Sequence, residues 1–190
     1  MGATAMCPSP PRGAGLASGL PAGEVYGTGQ VSVMGVDPGL ARTGWAIVSG
    51  DAFQRLTYRA GGTIKTLPGT PFPERIGAIA DTLEEKVRLF GVTGISVEDH
   101  FSRRNAPGVA HLLGPVIGAV ALIAHRHQLS FLSISPRELK HRVTGTGAAS
   151  KDALIRSLSF WFGPGLEIGT THEGDALGLA FLGFGRMNRP

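Results

Sequence analysis

The stretch Val31-Ser-Val-Met-Gly-Val-Asp37-Pro-Gly-Leu-Ala-Arg-Thr43-Gly-Trp-Ala-Ile-Val48 predicts a strand, a tight turn and a second strand. The first segment is apolar and rich in β-branched residues, as a buried strand requires, and Pro-Gly is a turn signal. Asp37 is the first charge after this run, and a carboxylate at the end of a central strand needs a partner. Two interpretations are open: Asp37 caps the turn through backbone amides, or it belongs to a functional site.

Size and composition indicate one globular domain with an additional segment. The chain has 190 residues, of which 42% are hydrophobic and 17% charged, within the range of globular proteins. Its only cysteine, Cys7, leaves no partner for an internal disulfide and suits a cytoplasmic setting. The sequence has no apolar run of roughly 18 residues that could span a membrane and no pattern of a secretory signal. We therefore expect a cytoplasmic protein with no membrane partner.

The positive charge of the chain is concentrated in one third of its length. Residues 101–160 hold eight Lys and Arg against two acids, a net +6, whereas the other residues sum to −2. A basic segment on a near-neutral body is typical of a protein that binds a polyanion. A solvated basic face without a partner is the alternative.

The chain divides into a leader, one domain and a short tail. Residues 1–30 contain seven Gly and four Pro without helical or strand periodicity, so we predict a disordered leader there. We place the domain at residues 31–186 and the tail at 187–190.

Three early strands joined by short turns predict an antiparallel half, and later strands separated by helices predict a parallel half. The fold class is therefore α/β, with a mixed five-stranded sheet flanked by helices. The predicted strands are 31–37, 43–49, 56–64, 95–98 and 131–134, and the predicted helices 74–90, 107–127, 135–143, 151–162 and 171–186.

Acidic residues follow two strands of this predicted sheet. Asp37 ends the first strand and Glu98 ends the fourth, and the carboxyl ends of neighbouring parallel strands meet where active sites gather. Asp99 is excluded because side chains alternate between the faces of a strand.

The last predicted helix opens with Thr171-His-Glu-Gly-Asp175. His172 and Asp175 are three residues apart and lie on one face. Glu173 lies roughly 200° around the axis from Asp175 and does not join them easily. Asp175 is either a partner of the helix dipole or a site residue.

Asp37, Glu98, His172 and Asp175 together suggest a metal site. Carboxylate oxygens suit Mg²⁺, and an imidazole adds tolerance for Mn²⁺. No thiolate is available to this set, so a zinc–thiolate site is excluded. Two ions roughly 4 Å apart could clamp the attacking and leaving oxygens of a phosphodiester.

Four ordered segments carry a resemblance to a known family. They are Met34-Gly-Val-Asp37-Pro-Gly39 with Thr43-Gly44, Val97-Glu98-Asp-His-Phe101, the run from Arg137-Glu-Leu-Lys140 through Gly145-Thr-Gly147 to Ser150-Lys151, and His172-Glu-Gly-Asp175-Ala-Leu177. With them the chain resembles the RuvC family of Holliday-junction endonucleases over residues 31–186. The resemblance implies a ribonuclease H-like fold whose fourth and fifth strands run parallel to the first.

The resemblance also implies an activity, a catalytic set and partners. The activity is resolution of four-way DNA junctions by paired symmetric nicks, in recombination and repair, with two Mg²⁺ or Mn²⁺ ions per site. The partners are junction DNA, a second copy of the chain and the RuvA–RuvB branch-migration complex, which implies a nucleoid-associated location. The metal-binding catalytic residues would be Asp37, Glu98, His172 and Asp175, with His172 either a metal ligand or the base that acts on the water.

Further residues are candidates for DNA binding. By resemblance, Phe101 would stack on an unpaired base, and Lys140 and Lys151 would face phosphates; a core position is the alternative for Phe101. Arg103 and Arg104 would neutralise further phosphates. The loop with Gly147 and Ser150 can bring backbone amides to a phosphate at a helix N-terminus, or it is an ordinary linker.

Two departures and two other function classes accompany this prediction. The leader 1–30 and Pro115, in the helix that pairs across the family's dimer, depart from the family pattern. A junction binder with weak catalysis is one alternative, although clustered carboxylates facing phosphate argue against it. An actin-like nucleotide-binding protein is the other, but it needs two domains, more than 190 residues supply.

Overall fold

A mixed five-stranded sheet with the order β3-β2-β1-β4-β5 forms the centre of the protein. The computed structural model describes residues 30–50, 56–99 and 107–188. β1 pairs antiparallel with β2 and β2 with β3, whereas β1–β4 and β4–β5 are parallel. The predicted sheet is confirmed. The strands are β1 Val31–Asp37, β2 Arg42–Gly50, β3 Leu56–Lys65, β4 Gly94–Glu98 and β5 Ser130–Ile134.

Five helices cover the two faces of the sheet, and all five were predicted within a few residues of their bounds. They are α1 Phe72–Leu89, α2 Pro107–Arg126, α3 Pro136–Thr144, α4 Lys151–Phe162 and α5 Thr171–Met187. α1 begins before the predicted position because the first turn of a helix tolerates Pro73, whose missing N–H has no intrahelical acceptor there. Within the described residues, no helix combines the length and apolar character needed to cross a bilayer.

Two separate cores lie on the two faces of the sheet. Met34 and Val36 pack with α1 and α2 on one face of the sheet. The opposite face carries α3, α4 and α5, whose apolar residues pack on Ala46 and Val48. Asp37 therefore emerges on the side of the sheet where α5 lies.

Glycines let α5 lie close against the strands. A Cβ at Gly35 would overlap the backbone oxygen of Ala176, and one at Gly44 would overlap that of His172. Any larger residue at either position would push α5 away from the sheet. The first turns of α5 are therefore held at backbone contact distance from β1 and β2.

Candidate active site

Two buried carboxylates lie side by side at the carboxyl edge of the central parallel strands. β1 and β4 are in register with Val36 opposite Val97, which places Asp37 and Glu98 next to each other. Asp37 is 7% exposed and Glu98 8% exposed. A side-chain hydrogen bond joins the two groups.

The first turn of α5 adds an imidazole and a third carboxylate. His172 Nδ1 lies 2.8 Å from Asp37 Oδ2. The charge of Asp175 also acts on Asp37. Thr170 caps the helix, and its Oγ1 accepts the backbone N–H of Glu173 at 3.1 Å. The structure thus brings together the four residues that the sequence predicted as one set.

Lys151, the first residue of α4, reaches into the same cluster. Its Nζ donates to Asp175 Oδ2 at 2.6 Å. Partial burial by itself would lower the pKa of Lys151. The hydrogen bond to Asp175 and the charges of Asp175, Asp37 and Glu98 outweigh burial, so the pKa lies above its ordinary value. Lys151 is therefore the counter-charge of all three carboxylates.

The cluster perturbs the proton affinity of its own members. Burial is the main reason why the pKa of Asp37 rises from 3.8 to about 6. The charge of Asp175 raises this pKa as well, whereas the hydrogen bond with Glu98 and the charge of Lys151 lower it. Burial, followed by the charge of Lys151, lowers the pKa of His172 below 6.5. Near pH 7 we therefore expect an ionised Asp37 and a neutral imidazole, whose Nδ1–H donates to Asp37.

The donor set suits hard divalent ions, although its oxygens are already engaged. Carboxylate oxygens with one imidazole are the donors that Mg²⁺ and Mn²⁺ accept. Within the described ranges, no group of three or more His, Cys, Asp or Glu side chains is arranged to hold a metal ion. The reason is visible in the contacts, since Asp37 faces the imidazole and Asp175 faces Lys151. The chemistry of the site fits a metal, and an ion would compete with Lys151 and His172 for these carboxylate oxygens.

The residues that the sequence excluded from this cluster have other partners. Glu173 is buried, and its carboxylate accepts from the Tyr58 hydroxyl at 2.6 Å and from the Gly169 N–H at 3.1 Å. The backbone N–H of Asp99 donates to the Ile134 oxygen at 2.8 Å, which extends the β4–β5 pairing.

The predicted DNA-binding residues are only partly covered by the structure. Lys140 lies half-buried in α3, and Gly147 lies beside Arg137. Ser150 caps α4, and its Oγ accepts from the Ala153 N–H at 3.2 Å. Phe101, Arg103 and Arg104 lie outside the described residues.

Sequence reasoning missed Arg42, whose positive charge acts on His172. Arg42 is exposed at the start of β2, and the antiparallel register places Gly44 opposite Asp37. The hairpin pattern contained this signal, because a residue just beyond the turn must lie near the end of β1.

Comparison with known proteins decides the family. The family model described as crossover junction endodeoxyribonuclease RuvC matches residues 33–181. The chain belongs to the RuvC family. A relative with that name from Chloroherpeton thalassium is 36% identical over 152 residues, 79% of this chain and 80% of the relative. One from Gluconacetobacter diazotrophicus is 35% identical over 153 residues, 79% of this chain and 88% of the relative.

Solved structures agree with this assignment. RuvC from Thermus thermophilus is similar with a TM-score of 0.72 and 27% identity, over 83% of this chain and 96% of that one. The same protein in complex with a Holliday junction substrate gives a TM-score of 0.73. The predicted ribonuclease H-like fold and the predicted nuclease family are therefore confirmed. Membership also implies a general dependence on divalent metal.

Proposed function

We propose that this RuvC-family nuclease resolves four-way DNA junctions as a homodimer, through paired symmetric nicks and two Mg²⁺ or Mn²⁺ ions per site. The observation that carries the proposal is the meeting of Asp37, Glu98 and Asp175 beside one imidazole at the carboxyl edge of β1 and β4. Carboxyl groups packed together and directed at DNA would only weaken binding, unless cations bind between them and the phosphate.

Each residue of the site has its own proposed role in hydrolysis. Asp37, Glu98, His172 and Asp175 would hold the metal, which would activate water and stabilise the departing 3′ oxygen. Asp37 holds the imidazole through Nδ1, so the lone pair on Nε2 has two alternative roles: it would either bind a metal ion or accept a proton from the attacking water. Before DNA binds, the Lys151 ammonium contacts Asp175. The side chain is long and exposed enough to turn from Asp175 to the scissile phosphate.

Basic residues around the site would hold the junction arms. The proposal assigns phosphate contacts to Lys140, Arg103 and Arg104, a backbone contact to the loop with Gly147 and Ser150, and base stacking to Phe101. The support is the N-terminus of α4, where Ser150 caps the helix and the next residue, Lys151, contacts Asp175. A helix N-terminus favours anions through its free N–H groups and dipole. A junction complex is known for the Thermus relative.

The proposal extends to partners and organisation. Resolution requires a second copy of the chain for the opposite strand, and the RuvA–RuvB complex is the expected source of the junction in a cytoplasmic, nucleoid-associated setting. The leader at residues 1–30, the domain at 31–186 and the tail at 187–190 stay predictions.

The test is cleavage of a synthetic four-way junction in Mg²⁺, Mn²⁺ or EDTA, with products mapped on all four strands. We expect paired nicks at symmetric positions on two strands of like polarity, none in EDTA, and a linear duplex largely spared. Asp37→Asn should abolish cleavage and keep junction binding, whereas Asp81→Asn, on the exposed side of α1, should cleave normally. Equal cutting of duplex, or metal-independent binding with no nicks, would contradict the proposal.

A further inference from the structure

The edge strand β3, which carries none of the proposed catalytic residues, holds the start of α5 by two side-chain contacts. The Tyr58 hydroxyl donates to Glu173 Oε1 at 2.6 Å. The hydroxyls of Thr63 and Thr170 share a hydrogen bond of 2.6 Å. Thr170 caps α5, so both contacts end within the first turn of the helix that carries His172 and Asp175.

Both oxygens of the Glu173 carboxylate are occupied. Oε1 accepts from Tyr58, and Oε2 accepts from the Gly169 N–H at 3.1 Å. The residue is 6% exposed, so its carboxyl group is poorly solvated. A buried carboxylate requires such donors, because an unpaired one would be costly. Glu173 therefore ties α5 both to β3 and to the segment that precedes the helix.

A β-bulge directs Tyr58 toward Glu173. Ile47 pairs with Ala60 but Val48 pairs with Tyr58, so Arg59 is an extra residue in β3. Without this insertion, Tyr58 and Gly61, three residues apart, would point to opposite faces of the sheet. Bulges re-aim side chains in this way near functional sites.

Gly61 keeps the space that the pair needs. A Cβ at this position would lie 2.5 Å from Tyr58 Oη and 3.0 Å from Glu173 Oε1. Any side chain there would push the hydroxyl and the carboxylate apart. Three features of β3, the bulge, Tyr58 and Gly61, thus serve one contact.

We propose that Tyr58 and Glu173 form a positioning pair, which sets the orientation of the first turn of α5 and so aims His172 at Asp37. This inference rests on the proposed function, because it assumes that His172 works in the site. Glu173 follows His172 directly, so a rotation of this turn moves the imidazole whose Nδ1 lies 2.8 Å from Asp37.

The rest of α5 does not depend on this pair. Its later turns are anchored by apolar residues that are at most 3% exposed, among them Leu177, Leu179 and Phe184. Loss of the Tyr58 hydroxyl should therefore loosen the first turn and leave the helix docked. An experiment can therefore distinguish a misplaced first turn from an unfolded protein.

The experiment is Tyr58→Phe in the full chain, with two readouts. The first is the single-turnover rate of junction cleavage at saturating protein, expected to fall roughly 10-fold with junction affinity within about 2-fold, because misplaced catalytic groups slow chemistry more than binding. The second is the NMR signal of the His172 imidazole in metal-free protein, assigned with His172→Asp. This signal should shift or broaden.

Three further variants serve as controls. Thr82→Val also deletes one hydroxyl, which donates to Ala78 O at 2.7 Å in α1 on the other face of the sheet, and should change neither readout. Glu173→Gln can keep both contacts, since its carbonyl can accept from Gly169 and its amide can donate to the Tyr58 oxygen. We expect it to restore most of the rate that Glu173→Ala loses.

The outcomes separate this proposal from the proposed function. An unchanged rate together with an unchanged His172 signal in Tyr58→Phe would overturn the positioning role. So would a drop in stability that lowers binding and rate together while the His172 signal stays as in the parent. A parent protein that does not cleave junctions contradicts the proposed function instead, and the His172 signal then decides the positioning role alone.

Discussion

Asp37 is expected to destabilise the metal-free fold, and its replacement by asparagine measures by how much. Burial is the main cause that raises the pKa of Asp37 from 3.8 to about 6. Because one pKa unit corresponds to about 1.4 kcal/mol, ionised Asp37 lowers the free energy of unfolding by roughly 3 kcal/mol near pH 7.5. Asparagine keeps the shape and an oxygen that can accept from His172, without the charge. We therefore expect Asp37→Asn to be more stable than the parent.

The raised pKa of Asp37 also sets the sign of the pH dependence. Well below its ordinary value of 3.8, this carboxyl is protonated in the folded and the unfolded chain and makes no difference. Between about pH 4 and 6 the folded chain binds more protons, so stability falls as the pH rises, and above about 6 the full penalty applies. The gain from Asp37→Asn should thus grow from about 1.5 kcal/mol at pH 5 to about 3 kcal/mol at pH 7.5.

Urea and thermal unfolding in EDTA between pH 5 and 8 measure this gain. For a chain of this length, about 3 kcal/mol corresponds to a rise in Tm of roughly 6–12 °C. Asp81→Asn, on the exposed side of α1, makes the same atomic change without burial and should stay within about 0.5 kcal/mol. Mg²⁺ or Mn²⁺ should stabilise the parent more than Asp37→Asn. A variant no more stable than the parent at pH 7.5, or a gain that is flat with pH, would refute the reasoning.

Two other substitutions test the packing of α5 and the charge at the site. Gly35→Ala places a Cβ against the backbone oxygen of Ala176 and should cost at least about 3 kcal/mol in urea unfolding, whereas Gly77→Ala in α1, with no atom within 4 Å, should gain up to about 1 kcal/mol. Equal effects would mean that α5 can move away freely. Lys151→Met removes the ammonium from Asp175, so the metal-free Tm should fall, and the slope of log junction affinity against log salt should decrease by about 1. An unchanged slope would exclude Lys151 as a phosphate contact.

Local patterns in the chain predicted most of the fold. The hairpin of β1 and β2 follows from apolar runs on either side of Pro38-Gly39, because its pairing is between neighbours in sequence. α1 follows from the helical spacing of Ile79, Leu83 and Val87, which the structure buries. The parallel placement of β4 followed from the helix between β3 and β4, since parallel strands need a crossover connection.

The part of the site that depends on where strands end and on which face of a helix a residue lies was predictable from the sequence. Asp37 and Glu98 were predicted as neighbours because parallel strands bring their carboxyl ends to one edge. His172 and Asp175 were predicted on one face from their spacing of three. The contact of Lys151 with Asp175 was not predicted, because the two residues belong to different helices whose approach no local pattern encodes.

The sequence by itself determined which residues are available for chemistry and which face of its own element each one occupies. It set Glu173 aside from the carboxylate cluster, and the buried partners of that side chain agree. Only the tertiary structure decided what Glu173 does, because its partner Tyr58 lies on a distant strand and reaches it through a one-residue bulge. The physical reason is that helical and strand periods act within an element, whereas distances between elements depend on how closely backbones pack, here across Gly35, Gly44 and Gly61.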